Sequence, residues 1–249
     1  GELGEREVFD LSQALSRYYQ IDRGSLGNET DILNDYRVVI IADPQEPFSE
    51  KDKYILDQYL MQGGRILWVV NGVRFSDDYL SQSGMTPVIP LDLKIDDMLF
   101  RYGVRINATL VQDLQCLPVP VDVSNNPQQP NWQPMPWTYA PLLLTSHASP
   151  ITRNLMQVSS TMASTIEFVG GEDGIQKEVL LATSSNSRIT GTPAQVDLGF
   201  DDANPEDYRY AYVPVAASME GVFPSLFAHL LPPEEVVMHS PMRKHSEKT

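Results

Sequence analysis

The amino-acid sequence predicts an α/β protein with a β-rich second half. Three observations lead to this prediction: a strand–helix–strand pattern within residues 36–70, a second helical pattern over 91–102, and short strand-like runs after residue 138. The 249 residues carry 18 basic and 33 acidic side chains, a net charge of -15 at pH 7. A surface this acidic repels nucleic-acid phosphates and anionic lipid headgroups, so neither is an expected partner.

An amphipathic helix is predicted over residues 5–18. Its apolar side chains recur at spacings of three and four residues, which places them on one side of a helix. The members of this apolar stripe are Val8, Leu11, Leu15 and Tyr18. Charged residues lie between them, so one side of the helix is expected to pack and the other to face water.

The strand–helix–strand pattern follows. The run 38–42 is short, apolar and rich in β-branched residues, which is typical of a strand buried on both faces. Ser49 then occupies a helix N-cap position, and Gly63 and Gly64 end the helical pattern. The run 66–70 is a second buried strand. This spacing predicts a βαβ unit with parallel strands and a right-handed crossover.

The chain is expected to divide into three parts. Residues 1–117 form the α/β half, residues 118–231 a β-rich half that completes the same domain or makes a subdomain, and residues 232–249 a disordered tail. Prolines crowd the stretch 118–136, where we expect a long exposed loop, because proline cannot donate a hydrogen bond in a central strand. No apolar run approaches the roughly 18–20 residues that span a bilayer.

The motifs of common enzyme chemistry are missing from the sequence. It has neither a phosphate-binding glycine loop nor the G-x-S-x-G nucleophile elbow. The single cysteine, Cys116, has no histidine near it in sequence, so a small buried side chain is the favoured interpretation. The four histidines are scattered, and neither a metal nor a cofactor is predicted. We therefore expect no enzymatic activity.

Two polar places are candidate ligand sites. The first is the carboxyl end of the predicted parallel strands, where open α/β sheets bind ligands. Its residues are Asp43, Gln45, Asn71 and Arg74. The second is the polar turn 183–188, which contains Ser185 and Arg188. Ordinary loop chemistry is the alternative interpretation of both.

A third candidate is the aromatic and proline-rich segment 131–139. It contains Trp132, Trp137 and Tyr139. Tryptophan and tyrosine are enriched where proteins bind one another, so the segment suits a protein interface. It equally suits a loop held against the core.

Segments throughout the sequence resemble the gliding-motility-associated ABC-transporter auxiliary family, GldG. The first is FSEKDKYILDQYLMQGGRILW, over residues 48–68. Further matching segments lie at 102–107, 110–116, 136–141, 180–188 and 215–223. Together they extend the resemblance to about residue 231.

The resemblance implies a fold and a cellular setting. The family's ectodomain is related to flavodoxin-like and glutamine-amidotransferase-like folds, which implies a mostly parallel sheet with helices on both faces. Its members resemble membrane-anchored subunits on the periplasmic face of the inner membrane, beside an ABC-type permease and ATPase. The family supplies no catalytic residue to carry over to this sequence.

The family pattern also extends beyond this sequence. A hydrophobic strand ending in Gly-His-Gly-Glu precedes it in the family, and Gly1 and Glu2 match its last residues. The resemblance thus implies a longer native chain, whose membrane anchors lie outside the given residues and make its only membrane contact. A strand missing there would expose a sheet edge to another copy.

The sequence favours two functional hypotheses over a third, a hydrolase with an unfamiliar site. The first is a non-enzymatic accessory domain of an ABC-transporter-like complex associated with gliding motility, acting through protein contacts. The alternative is a solute- or glycan-binding domain that uses the cleft at the carboxyl ends of the parallel strands.

Overall fold

The computed structural model describes residues 9–124, 128–170, 174–198, 204–247 and 249. These residues form four α-helices, one short 3-10 helix (Pro205–Asp207) and fourteen strands. The α-helices are α1 (Phe9–Leu15), α2 (Glu50–Met61), α3 (Asp77–Ser83) and α4 (Asp96–Tyr102). The strands are β1 (Val39–Ala42), β2 (Ile66–Val69), β3 (Val73–Arg74), β4 (Met85–Pro90), β5 (Val104–Ile106), β6 (Thr109–Asp113), β7 (Cys116–Asp122), β8 (Trp132–Thr145), β9 (Gln157–Ser159), β10 (Ile166–Phe168), β11 (Gln176–Ala182), β12 (Ser187–Gly191), β13 (Ala194–Asp197) and β14 (Pro214–Glu220).

The predicted strand–helix–strand unit is confirmed. β1 and β2 pair in parallel, with Val39 beside Ile66, and α2 connects them. The Ser49 hydroxyl caps α2 by accepting a hydrogen bond from the Asp52 backbone N–H at 3.1 Å. Gly63 follows the helix with φ of +90°, a conformation that glycine adopts without a Cβ clash. The cap and the glycine thus fix both ends of α2.

The predicted flavodoxin-like sheet is wrong. Among the described strands, β1 and β2 form the only parallel pair, and every other named strand pairs antiparallel. The chain is mostly β, with small curled antiparallel sheets. The side chains of β11 and β14 are mostly half-buried. Antiparallel sheets tolerate solvent on one face, whereas parallel sheets need cover on both, so these strands suit antiparallel pairing.

The described parts of the proline-rich stretch form an antiparallel strand pair and not the predicted loop. β7 pairs antiparallel with the first part of β8, from Cys116 opposite Pro141 to Asp122 opposite Trp132. We call residues 116–141 the arm. A proline can lie in a strand where its missing N–H would point away from the partner strand. The prediction failed because it treated every proline as a strand breaker.

The apolar core comprises three clusters. One packs around α2 and reaches Tyr102 and Phe223. A second joins Val73 and Val88 from the first half of the chain with Trp137 from the second. The third surrounds α4. Side chains from both sides of residue 117 therefore share a cluster.

The described residues of the stretch 232–249 lie against the rest of the molecule, whereas the sequence predicts a disordered tail there. The Ser246 backbone N–H donates to the Phe223 carbonyl at 2.8 Å, and the Phe223 N–H donates to the Ser246 hydroxyl at 2.7 Å. The Gln58 side chain pairs with both backbone groups of Arg243, at 2.8 and 3.1 Å. Backbone hydrogen bonds hold this segment against the molecule, and hydrophobic periodicity in the sequence does not reveal such bonds.

Candidate functional site

The four residues predicted at the carboxyl end of the parallel strands come together. The Asn71 amide donates to the Asp43 carboxylate at 3.1 Å, and the Gln45 amide donates to the Asp43 carbonyl at 3.4 Å. The Arg74 guanidinium donates to the Gln45 carbonyl. Asp43 has φ of +45°, the left-handed region that asparagine and aspartate tolerate best among residues with a Cβ. The four thus hydrogen-bond with one another.

A small cavity lies beside this group. It measures about 160 Å³, and its lining includes Asn71, Gly72, Asp92 and Asp96 together with apolar residues. Typical ligand pockets measure about 300–1,000 Å³, so this one suits a few waters better than a sugar. Of the four predicted residues, Asn71 alone lines it. The hydrogen bond between Asn71 and Asp43 links the ends of two strands at this edge of the sheet.

The second candidate, the turn 183–188, is held from below by a buried carboxylate. Asp113, which has no exposed surface, accepts from the Ser184 N–H at 2.7 Å and from the Ser184 hydroxyl at 2.6 Å. The exposed Ser185 donates to the Asn186 side chain at 2.9 Å. Arg188 lies on β12 beside Gln112. In the described residues, no hydrogen bond or ion pair joins this turn to the Asp43 group.

The three predicted aromatic residues separate into two environments. Trp137 is 6% exposed, and its indole N–H donates to the Asp197 carbonyl at 3.0 Å. Tyr139 lies beside it, with ring centroids 6.0 Å apart. Trp132 is 61% exposed. The core interpretation therefore fits Trp137 and Tyr139, while Trp132 is available for contact.

The arm presents an apolar face that ends at Trp132. In its register Pro118 lies opposite Pro136, and Pro120 lies opposite Pro134. Residues two apart on a strand point to the same face, so the four prolines share a face with Trp132 and Asp122. All four prolines are exposed. We call Pro118, Pro120, Trp132, Pro134 and Pro136 the proline face.

The same prolines close the edges of the arm to further strands. Neighbouring pairs in an antiparallel ladder alternate between bonded and unbonded, and the N–H groups of unbonded pairs point outward. Proline has no N–H, so the two proline pairs occupy unbonded positions, and Val119 and Val121 occupy the bonded ones. At the proline positions the outer edges thus lack the donors that another strand needs, while the last unbonded pair, Asp122 and Trp132, keeps its outward N–H groups.

Charge also sets the arm apart. Charged residues make up 20% of the chain, but the arm, over residues 116–141, contains Asp122 alone. An apolar surface with a single charged residue, on an acidic molecule, resembles the charge-depleted centres of protein interfaces.

The comparisons with known proteins give the family. The sequence model of an ABC-transporter auxiliary family, described as "ABC-type uncharacterized transport system", matches residues 1–249. The chain belongs to this family. No curated protein matches the sequence. A solved structure described as "mmIFT52 N-terminal domain" is 18% identical, and the alignment covers 72% of this chain and 70% of that one with a TM-score of 0.44.

Membership makes this chain an auxiliary member of an ABC-type transport system. Within the described residues, none of its helices combines the length and the apolar character needed to cross a membrane. Burial and the charge of Asp113 raise the pKa of the Cys116 thiol, which works against a reactive thiolate.

One polar group of this auxiliary protein went unnoticed in the sequence. Asp57, in the middle of α2, has no exposed surface and accepts four hydrogen bonds. The donors are the Ser225 hydroxyl at 2.6 Å, the Leu226 N–H at 2.8 Å, the Tyr102 hydroxyl at 2.8 Å and the Gln58 amide at 3.0 Å. Burial raises the pKa of Asp57 above its usual value, against the effect of these donors. The network joins α2, α4 and the segment after β14.

One group of three side chains has the composition of a metal site. Ligand atoms of Glu29, Asp31 and His239 lie within 4.8 Å of one another, and all three residues are exposed. The His239 ring nitrogen lies 3.7 Å from the Asp31 carboxylate. Exposed acidic side chains commonly lie together without a bound ion, so this proximity does not by itself indicate a metal site.

Proposed function

We propose that this chain is a non-enzymatic auxiliary domain of an ABC-type transport system that consists of a permease and an ATPase subunit. It binds the permease on the periplasmic face of the inner membrane. Family membership supports the assignment of this chain to an ABC-type transport system. The resemblance to gliding-motility proteins supports the location and an association with motility. The observation that carries the proposal is the proline face of the arm.

The proline face has the properties of a contact surface. Its rings are rigid, so binding freezes few rotamers, which is a major cost of association. The exposed Trp132 supplies the large aromatic side chain that binding hot spots favour. Because the proline positions offer no outward N–H groups, the arm favours contact through its face over strand addition. The partner surface is therefore apolar, and pyrrolidine rings fit one lined by aromatic side chains.

Co-purification of the full-length protein with its permease tests the proposal. Trp132→Ala should weaken the complex about 30-fold, since truncating an aromatic hot-spot residue costs about 2 kcal/mol or more. Tyr79→Ala is the matched control, because Tyr79 is 64% exposed and lies outside the arm. Equal recovery of both variants and the wild-type protein would contradict the proposal.

The alternative, a solute or glycan site, has less support. The residues predicted for it hydrogen-bond with one another, and the neighbouring cavity is small. A thermal-shift screen against metabolites and oligosaccharides separates the two functions, because a ligand that binds the folded state raises its Tm.

A further inference from the structure

One face of the β1–β2 sheet is apolar and open. In the parallel register Ile40 lies beside Leu67, and Ala42 lies beside Val69, so these side chains share one face with Val38. The exposed fractions of Val38, Ile40, Leu67 and Val69 are 46%, 38%, 49% and 48%. We call this surface the open sheet face.

The opposite face of the same two strands is covered. Its apolar residues pack against the cluster around α2, and they are Val39, Ile41, Ile66 and Trp68. Parallel sheets are found with both faces covered, because each apolar face left in water costs about 25 cal/mol per Å². We therefore expect a second element to cover the open sheet face.

The same chain holds a helix without a packing surface. None of the residues of α1 is buried, and Phe9 and Leu11 are 58% and 46% exposed. An isolated helix shorter than about 12 residues is unstable in water, because its first turn is costly to form. Leu11 and Leu15 of α1 belong to the apolar stripe that the sequence predicts, and such a stripe needs an apolar surface. Of the other members, Val8 lies outside the described residues and Tyr18 lies outside α1.

We propose that α1 (Phe9–Leu15) docks its apolar side chains, Leu11 and Leu15, on the open sheet face. After α1, the chain is anchored at Leu26, which packs against the α2 cluster, and at Thr30, whose backbone N–H donates to the Val237 carbonyl at 3.2 Å. The intervening residues 16–25 can span roughly 33 Å when extended, at about 3.3 Å per residue. Because the helix is tethered, its effective concentration at the sheet is about millimolar, and a weak contact suffices.

Docking has a consequence for partners. A helix from another protein can reach the open sheet face only by displacing the chain's own helix. The docked helix thus shields the open sheet face from association with other proteins. The arm remains the exposed surface for contact.

Hydrogen exchange by mass spectrometry on the whole chain tests the docking. We expect the amides of α1 to exchange at least 100-fold more slowly than those of an unstructured peptide. Leu67→Asp places a carboxylate on the open sheet face and should abolish this protection, while Tyr79→Asp, on α3, should leave it unchanged. Unprotected α1 amides in the wild-type chain, or protection that survives Leu67→Asp, would overturn the proposal.

A second experiment applies if Leu67→Asp also lowers the protection of α2. In a Cys116→Ser background, cysteines replace Leu11 and Leu67, and the protein is oxidised. A disulfide between these positions supports docking, provided that the matched pair at Leu11 and Tyr79 forms none. Failure of the first pair to form a disulfide, or equal formation by both pairs, would overturn it.

Discussion

Asp57 lies in the middle of α2 with no exposed surface, and each of its carboxylate oxygens accepts from one hydroxyl and one N–H group. A hydroxyl can rotate to accept, but an N–H cannot. Asp57→Asn puts an NH₂ group where one oxygen was, so one N–H faces another in either flip. We expect this variant to lose about 1–3 kcal/mol of unfolding free energy, measured by urea denaturation. Asp78→Asn, at an exposed position on α3, should cost less than about 1 kcal/mol.

The difference in unfolding free energy between the wild type and Asp57→Asn should depend on pH. The folded state raises the pKa of Asp57, so between its ordinary and folded values the folded chain binds more protons than the unfolded one. The contribution of Asp57 to stability therefore falls as pH rises through this window and is largest below it. Asparagine does not titrate, so the difference between wild type and Asp57→Asn should narrow with increasing pH. A difference that widens would contradict the network as described.

Residue-scale prediction from the sequence worked where the signal was local. The Ser49 cap and Gly63 depend on neighbours a few positions away, and both were predicted. The partners of Asp57 lie 45 and 168 positions away in Tyr102 and Ser225. No spacing along α2 distinguishes such a carboxylate from a solvated one, so only the folded chain reveals it.

At the scale of elements, the arm provides a test of edge closure. Pro118→Thr combined with Pro136→Thr restores an outward N–H on each edge of the hairpin. We expect the double variant to self-associate as concentration rises, which sedimentation velocity would detect. Val119→Thr combined with Val121→Thr adds the same residue type where N–H groups already bond within the arm, so this control should stay at the wild-type sedimentation coefficient. Equal behaviour of both variants would show that the prolines do not protect the edges.

Elements with a strong period were predicted, and pairing partners were not. The βαβ unit has apolar runs bounded by a cap and by glycines, so its order followed from the sequence. Whether a short strand such as β4 or β11 pairs parallel or antiparallel depends on neighbours elsewhere in the chain. The proximity of the residues in the Asp43 group was predicted, because the ends of paired parallel strands lie at the same edge of a sheet. The structure was needed to show that these residues hydrogen-bond with one another.

At the scale of the whole molecule, the C-terminal segment closes the surface around α2. Removing residues 243–249 deletes four hydrogen bonds with Gln58 and Phe223, and also those that join Lys244 to Ser225 and Thr249 to Gly221. At about 0.5–1.5 kcal/mol for each hydrogen bond, the first four alone predict a loss of roughly 3 kcal/mol and a lower urea midpoint. Arg243→Ala keeps the backbone bonds and removes only an exposed ion pair with Glu247, so it should change stability by less than about 1 kcal/mol. An unchanged midpoint after truncation would instead support the disordered tail that the sequence predicts, since residues without native contacts add nothing to the free energy of unfolding.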